Sequence, residues 1–254
     1  DGLRHVAVTG VQTCALPISE RIDANLLNLT MDELKVIDKD IYETRIEKIT
    51  KKTQGKLIVK EYPTAGAHSG HFRALLEELK LKREFKPDII FIDYLNICAS
   101  QRMKQGANVN SYTYVKAIAE ELRGLAVEYN VPIVSATQTT RSGYTNSDPG
   151  LEDTSESFGL PATADFMFAL VSNEELEALN QIIVKQLKNR YNDPSFYKRF
   201  VVGIDRAKMK LYDVEASAQV GLSDSGQDDD TPVFDKSEFG KRAKAEGSFD
   251  GWKF

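Results

Sequence analysis

The chain is short of the residues that staple, anchor or coat. Its 254 residues include two cysteines, Cys14 and Cys98. Two cannot build a disulfide framework, and a reducing compartment is the default for such a chain. No run of the sequence approaches the ~18 apolar residues of a membrane span, so a transmembrane helix is excluded. Of the three histidines, His68 and His71 stand three apart. No carboxylate or cysteine set completes a metal site around them. Positive charge is not in excess either. A net charge of -5 argues against a wholly basic, histone-like binder of nucleic acid and leaves room for a local basic channel. The length suits one large domain or two small ones, with a core that needs no cross-links.

The first residues do not read as a leader. Asp1 to Ser19, DGLRHVAVTGVQTCALPIS, has an apolar stretch, but Asp1 offsets Arg4, and Thr9, Gly10, Gln12 and Thr13 interrupt the run. Val8 to Ile18 resembles the conceptual translation of a sequencing-library adapter. Residues 1–18 are therefore expected to be a non-native segment, with the biological chain starting near Ser19 and Cys98 its only cysteine.

From there the pattern alternates. Glu20 to Leu27 is helical, with Ile22, Leu26 and Leu27 on one side. Thr30 and Glu33 form a capping box before Leu34 and Ile37, and Asp38 caps a further helix through Ile41, Ile46 and Ile49. Lys56 to Tyr62 is a strand ending at Pro63. His71 to Leu81 is a helix with a basic end that suits its dipole. Ile89 to Ile92 is an uninterrupted apolar run closed by Asp93, the mark of a parallel strand buried on both faces. Ser111 to Tyr129 is a helix with Val115, Ile118, Leu122 and Ala126 inward. Strands are expected at 132–136, 165–171, 182–187, 200–204 and 209–214, the last two paired. The alternation predicts an α/β fold with a mostly parallel sheet and helices on both faces.

Past Val214 the pattern fails. Residues 216–254 read as an acidic flexible tail: Ser223 to Asp230 carries four aspartates and no basic residue, and spaced aromatics follow from Phe234 to Phe254. Residues 19–215 are then the folded domain.

In open α/β sheets, ligands sit beyond the carboxyl ends of the strands, so the residues just after each apolar run carry the functional reading. Asp93 ends one such run. A carboxylate there is where phosphate-loop NTPases hold Mg²⁺, usually through water, and Mg²⁺ prefers oxygen ligands. Alone, it is equally a strand-end cap. Gln138 follows the next strand and is placed to sense a γ-phosphate or an attacking water. Lys188 and Arg190, two apart on a strand, point to one side and could reach a neighbouring subunit's nucleotide, or be an ordinary solvated pair. Arg102 and Lys104 lie in a loop of small residues after the Asp93 strand. Arg141 lies in a loop with Gly143, Tyr144 and Asn146. Such mobile basic loops suit single-stranded nucleic acid. No Gly-x-x-x-x-Gly-Lys-Ser/Thr occurs anywhere in the chain.

Asp93-Tyr94, IAEELRGLAVEYNVPIVSATQTTR (118–141), LEDTSESFGLPATADFMFAL (151–170) and IVKQLKNR (183–190) together resemble the RecA-type motor domain of DnaB-type hexameric replicative helicases. ERIDANLLNLT, LIVKEYPTAGAH and GLPATADFM resemble the primase-helicase subgroup of T-even-type tailed phages and their cyanobacterial-virus relatives. The resemblance runs from Glu20 to about Glu215. It implies a RecA-like P-loop NTPase core lacking its first P-loop strand and helix. The phosphate-loop Lys and Ser/Thr and the catalytic glutamate would precede Glu20.

Residue by residue, the resemblance implies that Asp93 is the Walker B aspartate, holding Mg²⁺ through water. It implies that Gln138 is the glutamine after the next core strand and that Arg190 is an arginine finger, with Lys188 its paired cation. Arg102, Lys104 and Arg141 would face the DNA channel. The parent is then expected to be a 5′-to-3′ DNA helicase driven by ATP or GTP. It would act as a homo-hexameric ring on single-stranded DNA at a phage replication fork in the host cytoplasm, with primase and helicase-loader partners and no membrane. A RecA-like recombinase, a regulatory ATPase, or a non-catalytic DNA- or partner-binding piece are the alternatives.

Overall fold

The computed structural model describes residues 5–10, 15–53, 55–104, 109–139, 149–151, 159–193 and 198–219. Two four-stranded sheets organise them. The first runs β2-β1-β3-β4, all parallel: β1 His5–Gly10, β2 Lys56–Glu61, β3 Ile89–Asp93 and β4 Ile133–Ser135. The second runs β5-β6-β7-β8, all antiparallel: β5 Phe166–Val171, β6 Gln181–Asn189, β7 Arg199–Asp205 and β8 Lys210–Asp213. The expected parallel sheet is thus present in the first half. The Ile182 strand departs from it, because short connections join β5, β6, β7 and β8, and short connections return the chain antiparallel.

The helices of the first sheet are α1 Ala15–Leu27, α2 Met31–Val36, α3 Lys39–Lys52, α4 Ser69–Arg83 and α5 Ser111–Tyr129. Their ends follow the sequence. Thr30 and Glu33 close the capping box of α2, and the Asp38 carboxylate accepts from the Asp40 N–H at the start of α3. His68 caps α4, its Nδ1 accepting from the Gly70 N–H at 3.1 Å, and His71 Nδ1 accepts from the His68 N–H at 3.3 Å. Both histidines therefore serve the helix end. Burial corrects two inward assignments. On α1 it is Ala24 that is fully buried, whereas Leu26 is 52% exposed. On α5 it is Leu125, rather than Ala126, that reaches full burial beside Ile118 and Leu122.

Phe72, Leu76 and Leu79 of α4 and Val115, Ile118, Leu122 and Leu125 of α5 pack on Ile90 and Ile92 of β3, with Ile58 of β2 and Ile133 of β4 against them. Those strand residues share one face. The β1-to-β2 crossover runs in the opposite direction across the sheet, so right-handedness assigns α1–α3 to the other face. That second face carries Phe91, in register with Val134, and Phe91 is 37% exposed. The expectation of β3 buried on both faces therefore fails: Ile90 and Ile92 are buried on the face that meets α4 and α5, and Phe91 on the other face is exposed.

β1 and the first turn of α1 come from the segment expected to be non-native. A parallel ladder is bonded through main-chain groups, so HVAVTG needs β-propensity there rather than a particular sequence.

In the second sheet, β7 and β8 pair as expected, from Val202–Asp213 to Asp205–Lys210. Gly203 lets the Tyr212 ring lie over the β7 main chain: a Cβ would meet that ring at 2.2 Å and push it aside. The hairpin tip touches the first lobe, with the Met31 N–H donating to the Ala207 carbonyl at 2.9 Å and Asn25 Nδ2 to that of Met209 at 2.7 Å. Ala216–Gln219 form a 3-10 turn, and the Gln219 amide pairs with both main-chain groups of Val201. The rest of the expected tail, 220–254, lies outside the described residues.

Candidate functional site

The carboxyl ends of β3 and β4 form one edge. Asp93 closes β3 in register with Gly10, the last residue of β1. The loops after β3 and β4 are laced together. Ser135 Oγ donates to the Ile92 carbonyl at 2.7 Å, the Leu95 N–H to the Ala136 carbonyl at 3.2 Å, and Thr137 Oγ1 to Asn96 Oδ1 at 2.8 Å. This lacing carries Gln138 to the Asp93 end, where its Nε2 donates to the Tyr94 hydroxyl at 3.3 Å. Asp93 and Gln138 are both exposed. The two residues that the sequence placed after adjacent strands thus lie on one sheet edge, with Gln138 bonded to the neighbour of Asp93.

A single exposed carboxylate is a suitable donor for a hydrated Mg²⁺, an ion that keeps several waters and takes phosphate oxygens as ligands. Among the described residues no three His, Cys, Asp or Glu side chains group to hold a metal by themselves. The donor set fits an ion held mainly by water and phosphate.

A second cluster gathers the expected finger. Phe166 pairs with Asn189 in the antiparallel β5–β6 ladder, so the next residues out, Asp165 and Arg190, meet, and the Arg190 N–H donates to the Asp165 carbonyl at 3.0 Å. Arg190 Nη1 donates to Asp165 Oδ1 at 2.9 Å and Nη2 to the Ala162 carbonyl at 2.5 Å. Arg123, on α5, donates through Nη1 to the same Oδ1 at 2.7 Å and to the Thr163 carbonyl at 2.6 Å. Lys188 Nζ donates to the Pro161 carbonyl.

Those carbonyls belong to the short helix α6, Gly159–Thr163, whose C-terminal end leaves acceptors unpaired and partly negative. Burial pushes Asp165 up, but the two guanidiniums outweigh it and leave its carboxyl below the usual range. Burial, with the Arg190 charge beside it, lowers Lys188. Lys188 and Arg190 do point to one side, as expected. They are held on α6 of the same chain rather than standing as a solvated pair.

The third cluster concerns the loop after β3. The Glu121 side chain, 7% exposed, lies under it. Its carboxylate accepts from Ser69 Oγ at 2.8 Å, Ser100 Oγ at 2.6 Å, the Gln101 N–H at 2.9 Å and the Arg102 N–H at 3.2 Å. Ser100 Oγ in turn accepts from the Met103 N–H at 3.0 Å. The segment expected to be a mobile loop is therefore pinned as far as Met103. Arg102 turns back onto α5, donating to Glu120 at 2.7 Å, Glu121 at 3.4 Å and the Ala117 carbonyl at 3.1 Å. Lys104 is exposed. Arg141 and its loop neighbours Gly143, Tyr144 and Asn146 lie outside the described residues.

Glu121 was not legible as a functional residue, and neither were Arg123 and Asp165. Their partners are 19 to 52 residues away, and no local spacing marks them.

Removing the Glu121 carboxylate takes the acceptor from Ser100 Oγ and the Gln101 N–H, and leaves Ser69 Oγ and the Arg102 N–H only their second acceptors, Gln101 Oε1 and Ser100 Oγ. Glu121→Ala is expected to cost about 3 kcal/mol, which for a domain of this size lowers Tm by roughly 6–12 °C. Burial raises the Glu121 pKa, and its hydrogen bonds, led by Ser100, outweigh that and lower it. The stabilisation is thus complete above the ordinary carboxylate range and lost as pH falls through the folded pKa. Thermal melts at neutral and acid pH check both: the gap between wild type and Glu121→Ala should narrow in acid.

The pattern of the DnaB-like helicase C terminal domain matches residues 4–194. The chain is 46% identical over 200 residues to the DnaB-like replicative helicase of Enterobacteria phage T4, a match covering 78% of this chain and 42% of that protein. It is 28% identical over 171 residues to the replicative DNA helicase DnaB of Helicobacter pylori J99, covering 66% of this chain and 34% of that one. The chain thus spans less than half the length of these relatives. Among solved structures, the ATPase domain of another protein aligns with a TM-score of 0.68 at 19% identity, over 84% of this chain and 75% of that one. A DnaB-like replicative helicase described with its interactions with primase aligns at 0.67 and 18%, over 84% and 51%. At that identity the structural matches show the fold alone, a RecA-like α/β core.

Proposed function

This chain belongs to the DnaB-like helicase C-terminal domain family, and from that premise we propose that it is the motor portion of a replicative DNA helicase. In that reading, full-length subunits form a homo-hexameric ring. The ring couples ATP or GTP hydrolysis to 5′-to-3′ movement on single-stranded DNA at a phage replication fork in the host cytoplasm, with primase and a loader as partners. The observation that carries the reading is the laced edge at the carboxyl ends of β3 and β4, where Gln138 is bonded to Tyr94, the residue next to Asp93.

Each residue has a distinct task. Asp93 supplies one hard oxygen toward hydrated Mg²⁺, whose charge offsets that of the phosphates when it is bound. Gln138, neutral and able to donate or accept, reports the state of the terminal phosphate to the loop that follows it. Tyr94, its hydrogen-bond partner, links that report to the loop after β3. Arg190, with Lys188 beside it, acts on the neighbouring subunit's phosphates. Lys104, Arg102 and Arg141 face the DNA backbone. Arg102 is largely committed to Glu120 and Glu121, so Lys104 carries the larger share.

A motor must accept every sequence, so these cations go to phosphates. In a ring of full-length subunits, Lys104→Ala is expected to weaken single-strand binding equally for mixed and homopolymer DNA. The salt slope should fall by about 0.7 for each phosphate no longer neutralised. Affinities measured at several salt concentrations test this. An unchanged slope, or a weakening confined to one base composition, would remove this loop from the DNA channel.

A further inference from the structure

We propose that Asp165, oriented by Arg123, is the positioning residue for Arg190, holding its guanidinium in a set direction before a neighbouring subunit's phosphates arrive. The inference rests on the arginine-finger reading of Arg190 given above.

An arginine at the end of a strand has many rotamers, and a finger that must be ordered at each encounter acts less often. Here two of the five guanidinium N–H groups are already engaged, one by Asp165 Oδ1 at 2.9 Å and one by the Ala162 carbonyl at 2.5 Å. The side chain remains 41% exposed, so the planar group is fixed without being enclosed. Among the described residues the other three N–H groups make no bond, and they suit a planar, charge-assisted interaction with phosphate oxygens.

Asp165 is itself not free to swing. Its Oδ1 also accepts from Arg123 at 2.7 Å, and the same Arg123 nitrogen is tied to the Thr163 carbonyl. Arg123 stands on α5, one turn along from the buried Ala119 and beside the buried Leu122. The chain of interactions therefore runs from the core, through Arg123 and Asp165, to Arg190. Main-chain register adds to it, because the Arg190 N–H and the Asp165 carbonyl are bonded across the ladder. Lys188 completes the arrangement on the Pro161 carbonyl and keeps a second positive charge beside the first.

Misplacing a reacting group by about 1 Å costs on the order of 10²-fold in rate. In a ring of full-length subunits, Asp165→Ala is expected to lower kcat by about that factor, with KM for the nucleotide little changed. Asp165→Asn keeps the shape and one carbonyl acceptor and should recover part of the rate. In mixed rings the defect should appear in the site of the adjacent subunit. The double variant Asp165→Ala, Arg190→Ala should turn over no more slowly than Arg190→Ala alone, since a residue that acts through Arg190 has nothing left to position.

Thermal melts of Asp165→Asn accompany the kinetics. A slower rate in a ring that melts like wild type supports positioning. Full kcat in Asp165→Ala beside a crippled Arg190→Ala overturns this proposal alone, as do additive effects in the double variant. An intact rate in Arg190→Ala overturns the finger reading and this inference with it.

Discussion

Purified as it stands, this chain is expected to hydrolyse neither ATP nor GTP above background. Hydrolysis of a terminal phosphate is almost entirely positioning and electrostatics, because the reaction asks for little covalent work from the protein. The phosphate cradle and its lysine supply much of that stabilisation in phosphate-loop enzymes. No Gly-x-x-x-x-Gly-Lys-Ser/Thr stands anywhere in the 254 residues. Losing one preorganised donor in such a site costs about 10²–10³ in rate, and here the motif that supplies several of them is missing from the sequence. In the proposed reading Asp93, Gln138 and Arg190 all act on phosphates, and the sequence carries no phosphate-loop motif to hold them. Phosphate release by the purified chain, with and without single-stranded DNA, is the measurement. Robust turnover that disappears in Asp93→Asn would show that another phosphate cradle exists in the fold.

In a ring of full-length subunits, Arg190→Ala is expected to leave nucleotide binding nearly intact and to lower turnover by about 10³ or more, the scale of an arginine finger. The geometry sharpens this expectation. The guanidinium sits at the rim of the second sheet and is anchored on one edge by Asp165 and the α6 carbonyl of Ala162. An arginine held only to stabilise its own subunit would show its removal in thermal melts. One held to serve a neighbour shows it in the neighbour's rate. Rings that mix wild-type and Arg190→Ala subunits separate the two, and a defect confined to the mutant subunit's own site would end the trans role.

Local signals in the sequence determined the capped helix starts, the strands from β2 onward and the two strand-end residues of the candidate site. Thr30 and Glu33 cap α2 because that spacing lets each side chain reach the other's main-chain N–H. Ile89 to Asp93 is a strand ending in a carboxylate because an apolar run of that length cannot stay in water and must stop where its charge begins. Even the pairing of the last two strands followed from a short polar turn between apolar runs. All of these depend on neighbours within a few residues, which is the range at which a sequence can be read directly.

Tertiary structure decided the rest. That the second half is antiparallel, that Phe91 stays half-covered, and that Leu125 rather than Ala126 fills the core all depend on which elements come to lie against each other. Arg102 reads in the sequence as a free basic residue in a loop, but α5 presents Glu120 and Glu121 to it, and a nearby carboxylate outcompetes water for a guanidinium. Asp165 reads as a residue before a strand. It becomes the anchor of Arg190 only because the β5–β6 register sets the two opposite each other, while Arg123 arrives from a helix 42 positions earlier. Spacing along a chain determines what a residue can do. Register and packing decide which distant charge it meets, and in this protein that meeting separates a solvated cation from one held in place.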